Sequence, residues 1–186
     1  MGLDMYAHRR VYVKQWEHQK PEERYTVHID LGGKPVAGFK SERISSVEEE
    51  VMYWRKANHI HAWFVDNVQQ FDDDCGTYEV EWDKLQDLVD VCRKVKRASK
   101  LVDGIIANGE VMENGVWVAL REPGKVIEDP TKATELLPTR EGFFFGHYAY
   151  DEDYLDDLIK THDWANRMIN DHLNGVPGDI YYSSSW

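Results

Sequence analysis

The spacing of hydrophobic residues predicts three long helices separated by short strands, and the longest helical pattern covers residues 47–68. At roughly 100° per residue, its apolar positions share one broad face. These positions are Val47, Trp54, Ala57, Phe64, Val65 and Val68. Asn58 and His61 fall in the middle of this face, whereas Arg55, His59 and Asp66 fall on the opposite side. The pattern therefore predicts a central helix that turns an amide and an imidazole toward the core.

The remaining hydrophobic patterns predict an α+β fold. Two further helices are expected over residues 83–99 and 151–173, and strands near both ends of the chain and over residues 77–82. Two hairpins are expected, one around Gly32-Gly33 and one around Glu113-Asn114-Gly115. We expect a small antiparallel sheet, gathering the N-terminal, first-hairpin and C-terminal strands, with the three main helices packed on one of its faces.

The length of 186 residues suits a single domain that spans residues 1–186. Hydrophobic residues make up 42% of the chain, which is enough to bury a core and argues against global disorder. We interpret residues 101–129 as an inserted β-hairpin followed by a loop. The sequence leaves a homo-oligomer open.

The charge balance restricts the partners. A net charge of −12 argues against direct nucleic-acid binding, which needs a basic footprint. The same charge is compatible with an acidic protein-interaction inhibitor or a DNA mimic. Two cysteines without metal-type spacing fit a reducing cytoplasm. No apolar run approaches the ~18 residues of a membrane span, and no signal-peptide pattern opens the chain, so we expect a cytoplasmic protein without membrane contact.

Motifs for catalysis and metal binding are weak. His59 and His61 form an H-x-H pair, but on a helix they point about 200° apart and cannot readily share a metal. A Cys75–His61 nucleophile pair stays open beside the simpler interpretation of a thiol packed at a turn. The carboxylates at the start of the third helix, namely Asp151, Asp153, Asp156 and Asp157, are interpreted as favourable charges at a helix N-terminus. We therefore predict no metal, no cofactor and no catalytic residue, and we leave an enzyme open.

A group of cationic, polar and aromatic side chains forms the candidate ligand site. Its members are Arg55, Lys56, Asn58, His61, Trp63, Arg140 and His147. Arginine and lysine bind phosphate, and tryptophan stacks on bases, so a pocket that combines them suits a nucleotide-like anion. The alternative is structural: Asn58 and His61 bond buried backbone, while Arg55 and Lys56 pair with surface acids such as Asp66.

Six segments of the chain carry a resemblance to a known family. They are the opening MGLDMY, the YWRKAN-x-IH-x-WF segment of residues 53–64, CG-x-Y-x-V at 75–80, LLPT-x-x-GFFFG at 136–146, YD-x-x-Y-x-x-DL at 150–158 and the aromatic end into SSW at 181–186. They resemble a family of small uncharacterised proteins encoded by bacteriophages and by bacterial genomes, often in prophage regions. Residues 101–129 are longer than the usual link in that family. The resemblance implies a phage-associated, cytoplasmic origin and implies no reaction.

Three functions follow as hypotheses. The first is a phage accessory protein, in a counter-defence role, that sequesters a nucleotide-like small molecule without catalysis. The second is an acidic inhibitor that binds a host protein. The third is a nucleotide phosphodiesterase that uses His61 as general acid/base.

Overall fold

The structure is a computed structural model that describes residues 2–113, 115–142 and 145–186. Asn114 of the second predicted turn, and Phe143 and Phe144 of the GFFFG segment, lie outside the described residues. The fold is α+β, as predicted. In chain order its elements are β1 (Asp4–Tyr12), β2 (Asp30–Leu31), β3 (Lys34–Pro35), β4 (Ser46–Arg55), α1 (Asn58–Asn67), β5 (Thr77–Val80), α2 (Trp82–Ala98), β6 (Leu101–Glu113), β7 (Val116–Ile127), α3 (Thr131–Leu136), α4 (Glu152–Leu173) and β8 (Asp179–Ser185).

The main sheet has the strand order β4-β1-β8-β5, and each of its strand pairs is antiparallel. The N-terminal strand β1 pairs with the C-terminal strand β8, so both terminal strands lie in one antiparallel sheet, as predicted. The first hairpin, by contrast, does not join this sheet in the described part of the chain, because β2 and β3 pair with each other alone. Its residues are exposed, Leu31 among them, and they offer no buried face to add to the sheet.

The prediction of one helix over residues 47–68 is wrong in its first half, which forms strand β4. Three consecutive acids of β4 face three basic residues of β1, because His8 pairs with Glu50, Arg9 with Glu49 and Arg10 with Glu48. Two of these pairs form ion pairs, at 2.7 Å for Arg9–Glu49 and 2.9 Å for Arg10–Glu48. Cross-strand charge pairing and the β-forming residues Val51, Tyr53 and Trp54 therefore outweigh the helical spacing.

Helix α1 passes through the core and is covered on all sides. All residues from Asn58 to Val65 are buried, including the two histidines. His59, which the helical pattern placed opposite the apolar face, is therefore buried as well. The sequence suggested a helix with one exposed side, whereas a helix that is buried all round has no polar side for periodicity to detect. Helices α2 and α4 pack against each other and, with α1, are the three main helices of the prediction.

The long hairpin β6–β7 confirms the predicted β-hairpin within residues 101–129. Its base is tied to the start of α4, since the Ile127 amide donates to the Tyr150 carbonyl at 2.9 Å and Val126 bridges to Asp151. The register shifts between Ala107 and Glu110, so the hairpin carries an irregularity there. Within the described ranges, no helix combines the length and apolar character needed to cross a membrane.

Candidate functional site

A cleft of about 910 Å³ lies between the first turns of α4, the hairpin β6–β7 and the connection from β4 to α1. This volume falls within the range of small-molecule sites. Its wall from the hairpin is formed by small residues, among them Ala107, Gly109 and Ala119. Its charged lining consists of Arg55, Lys56, Lys160, Asp153, Asp156 and Asp157.

Two unusual backbone positions bring the cationic wall of the cleft together. Lys56 adopts a φ of +60° between β4 and α1, and its amide donates to the Leu3 carbonyl at 2.8 Å. Gly146 has a φ of +91°, and a Cβ at this residue would lie 3.0 Å from the Cβ of Lys56. Glycine therefore allows residues 146–148 to pass close to the Lys56 turn, where they form the adjoining wall of the cleft.

The Asn58 side chain fixes this wall. Its amide nitrogen donates to the carbonyls of Phe145 at 3.1 Å and His147 at 2.9 Å, and its oxygen accepts from the Arg140 amide at 3.1 Å. Asn58 therefore bonds buried backbone, as the structural alternative expected. These three bonds hold the segment that includes Gly146 and His147 against the start of α1.

His61 and Trp63 belong to the core rather than to the cleft. The His61 ring is fully buried, with Nδ1 at 2.8 Å from the Tyr182 hydroxyl and Nε2 at 3.0 Å from Asp73. Burial lowers the pKa of His61, and the hydrogen bond with Asp73 opposes that change. The Trp63 ring packs edge-on against Phe64 with 5.3 Å between the ring centroids.

The structure therefore brings three of the seven candidate residues together at the cleft, namely Arg55, Lys56 and His147. Within the described ranges, neither Arg55 nor Lys56 forms an ion pair. The acid that the structural alternative assigned to them, Asp66, instead lies 3.5 Å from the Arg140 guanidinium. Among the described residues, Arg55 and Lys56 are thus not neutralised by a direct side-chain pair, whereas Lys160 lies 4.0 Å from the Asp157 carboxylate and His147 lies 3.5 Å from that of Asp151.

A small recess of about 30 Å³ adjoins the cleft, with which it shares Lys56, His147, Asp153 and Asp157 as lining residues. His59 lines this recess, with its ring centroid 4.1 Å from that of Tyr154. The imidazole is 3% exposed, and its Nε2 has no hydrogen-bond partner among the described residues. Burial, assisted by His147, lowers the pKa of His59 to about 3, so the ring is neutral at pH 7.

Asp157 is the most perturbed carboxyl among the described residues of the cleft. Burial is the main reason that its pKa rises to about 6, and the neighbouring Asp153 and Asp156 raise it further. Lys160 and His147 act in the opposite direction, with the Lys160 ammonium 4.0 Å from the Asp157 carboxylate. A carboxyl that titrates near neutrality inside a cleft is a frequent property of functional sites.

The sequence patterns did not identify His59, Lys160 or the role of the acids on α4. Asp151 does cap the helix, because it accepts from the Tyr154 amide at 3.1 Å. Beyond it, charged residues follow the spacing of one helix face, namely Asp153, Asp156, Asp157 and Lys160. This polar stripe was a detectable signal for a charged wall. His59 gave no such signal, because α1 is buried on every side and has no polar face for the pattern to detect.

No group of three or more metal-ligating side chains stands in position to hold a metal ion within the part of the chain that the structure describes. Comparisons with protein-family models, with curated proteins and with solved structures return no match to this chain.

Proposed function

We propose that this protein binds a nucleotide-like anionic small molecule in the cleft beside α4 and holds it without chemical change. The observation that carries the proposal is the convergence of Arg55, Lys56 and Lys160 on one 910 Å³ cavity in a chain of net charge −12. Arginine and lysine are the side chains that bind phosphate groups, and a partly enclosed cleft strengthens this attraction relative to bulk water.

The rest of the lining suits the remainder of a nucleotide. Tyr148 is partly exposed at the wall and offers an aromatic surface on which a base can stack. The carboxylates of Asp153 and Asp156 are hydrogen-bond acceptors, which suits ribose hydroxyls or amino groups. A ligand with an anionic end and a donor-rich end therefore matches the two kinds of charge in the cleft.

The composition of the described cleft lining and the position of His61 support binding without turnover. A sequestering protein needs affinity but no nucleophile, and the described lining contains neither serine nor cysteine. The His61 ring, assigned to acid/base catalysis in the phosphodiesterase hypothesis, is sealed from solvent and uses both nitrogens in contacts with Tyr182 and Asp73. The resemblance to phage-encoded proteins supports a role in the host cytoplasm, where such a protein would sequester a nucleotide signal of the host.

Calorimetry against a nucleotide panel tests this proposal. The panel contains mononucleotides, cyclic di- and trinucleotides and ADP-ribose, and chromatography of the recovered ligand checks for turnover. We expect at least one member to bind and to be recovered unchanged. Arg55→Ala and Lys160→Ala should each weaken binding about tenfold, because each removes a charge-assisted contact.

Lys132→Ala is the matched control, since Lys132 is an exposed lysine on α3 that pairs with Glu135. It should bind like the wild type. Failure of every panel member to bind at high micromolar concentration would refute the proposal, and conversion of the ligand would refute its non-catalytic part.

A further inference from the structure

His59 is a titratable side chain beside the cleft whose burial is not explained by its contacts within the described residues. Its ring is 3% exposed, yet its Nε2 has no hydrogen-bond partner there. An unsatisfied buried polar atom is costly, and native proteins carry few of them. A phenylalanine would pack on Tyr154 equally well without this cost, so the ring nitrogen points to a partner from outside the chain.

The recess that His59 lines has the size of a small polar group. A cavity needs a volume of roughly 10–15 Å³ to hold one group the size of a water molecule. The recess of about 30 Å³ therefore accommodates one or two groups of this size, and a whole nucleobase is too large for it. Because Lys56 and His147 line both cavities, a group in the recess belongs naturally to a ligand whose anionic end lies in the cleft.

The chemistry of the recess favours a hydrogen-bond donor. Asp153 and Asp157 line it, and ionised carboxylates only accept hydrogen bonds. The neutral His59 ring adds an acceptor at Nε2 in the tautomer that is protonated at Nδ1. Lys56 lines both the recess and the cleft. Its ammonium group is therefore placed to contact the anionic end of a ligand whose donor group occupies the recess.

We propose that the recess binds a small donor group of the ligand, an amino or hydroxyl group, between His59 and the carboxylates of Asp153 and Asp157. This inference rests on the proposed function, since it assigns the second recognition element of the same ligand. The ligand class is thereby narrowed to phosphate-bearing molecules with an amino or hydroxyl group close to the phosphate.

Three small probes with the same phosphate test this assignment. They are 2-aminoethyl phosphate, 2-hydroxyethyl phosphate and ethyl phosphate, titrated into the full chain with detection by amide chemical shifts. We expect one of the two donor-bearing probes to bind about tenfold or more tightly than ethyl phosphate, because it alone completes the recess. Which of the two binds more tightly identifies the donor as ammonium or hydroxyl.

Variants locate the effect. His59→Phe keeps the ring stacked on Tyr154 and removes both nitrogens, and Asp157→Asn keeps the shape and removes the charge. Each should abolish the advantage of the donor-bearing probe over ethyl phosphate, measured as the ratio of the two affinities within each variant. Asp157→Asn should also bind every probe more tightly, because it removes a negative charge from the lining of the cleft. His59→Phe should also unfold at the temperature of the wild type or above it, which separates loss of recognition from loss of folding.

The two proposals fail in different ways. Equal binding of all three probes to the wild type overturns the assignment of the recess and leaves anion binding in the cleft intact. A donor advantage that persists in His59→Phe overturns the assignment in the same way. If none of the three probes binds at tens of millimolar, the recess assignment is likewise overturned, and the nucleotide panel alone then decides the proposed function.

Discussion

The ring of His59 lies with its centroid 4.1 Å from that of Tyr154, and both residues line the small recess beside the cleft. This contact seals the imidazole from water and leaves its Nε2 unpaired among the described residues. Stacking accounts for the position of the ring but not for its nitrogen. A substitution of His59 should therefore raise the stability of the protein and weaken the proposed ligand binding, so the two effects can be measured separately.

His59→Phe should make the protein more stable. At pH 7 we expect the free energy of unfolding to rise by about 1 kcal/mol, because an unsatisfied buried nitrogen is removed. Burial holds the pKa of His59 at about 3, well below its ordinary value of 6.5, so the unfolded chain binds this proton first as the pH falls. The free energy of unfolding of the wild type should therefore fall progressively below pH 6.5. The difference in this free energy between His59→Phe and the wild type should grow by about 2 kcal/mol between pH 7 and pH 5.

Urea unfolding at several pH values measures both effects. The exposed His28 provides the control, since His28→Phe should leave the acid dependence of the wild type in place. A His59→Phe variant that is less stable at pH 7, with a constant difference down to pH 5, would show that the imidazole has a partner in the folded protein.

Asp157→Asn should change the pH dependence in the opposite sense. Burial raises the pKa of this carboxyl to about 6 from an ordinary value of 3.8, so the folded protein takes up the proton first. The contribution of Asp157 to the free energy of unfolding is fully present below pH 3.8 and is lost as the pH rises through 6. Relative to the wild type, Asp157→Asn should therefore gain stability between pH 4 and pH 7, by about 2 kcal/mol after allowance for partial solvent exposure.

Asp156→Asn is the control for this measurement. It removes a neighbouring charge of the same helix but keeps the carboxyl that titrates, so most of the pH slope of the wild type should remain. Parallel stability curves for the wild type and Asp157→Asn from pH 4 to pH 7 would contradict the burial of this group.

Asn58→Ala should be strongly destabilising. The change leaves the carbonyls of Phe145 and His147 and the amide of Arg140 without the partner that now bonds all three. We expect a loss of roughly 2–3 kcal/mol in the free energy of unfolding. Asn174→Ala, which removes one exposed side-chain bond to the Asn170 carbonyl, should cost less than about 0.5 kcal/mol. Similar losses of unfolding free energy in the two variants would show that the Asn58 side chain does not hold the wall of the site in place.

The sequence predicted the α+β fold class and a strand near each end of the chain, because these depend on alternation within single segments. It failed at β4, where the spacing of Val47 and Trp54 is helical but the segment pairs along its length with β1, as Arg9 does with Glu49. That pairing joins residues 40 positions apart and cannot be inferred from a local pattern. Helix α1 is buried on every side, so His59 lies in the core although it stands opposite the apolar face, which explains why the sequence pattern did not identify this residue.

The sequence predicted the site residues that lie next to one another in the chain, but not the site residues that are brought together by distant segments. Arg55 and Lys56 lie at the end of β4, and their position at the cleft needed only the cationic spacing that the sequence displays. His61 is equally polar and two residues from His59, yet it is paired inside the core. Which histidine meets a cavity depends on the segment around His147 that folds over α1, and this segment is distant in sequence.

Gly146→Ala should impair ligand binding more than its cost in stability suggests. Gly146 and Gly175 both adopt a positive φ, at +91° and +80°, so alanine strains the backbone by roughly 1–2 kcal/mol at either position. A Cβ at residue 146 would also lie 3.0 Å from the Cβ of Lys56 and 3.3 Å from its carbonyl oxygen, whereas at residue 175 it meets open space. The added methyl group should therefore push the 146–148 wall away from Lys56 and separate two of the groups that line the cleft.

Calorimetry with the tightest-binding nucleotide of the panel, together with urea unfolding, distinguishes the two glycines. Gly175→Ala should lose stability and keep the affinity of the wild type, because its strain lies beyond the end of α4 and away from the cleft. Gly146→Ala should lose both, with affinity reduced about tenfold by the displaced contact. Equal affinities in the two variants would mean that the approach of Gly146 to Lys56 does not shape the ligand site.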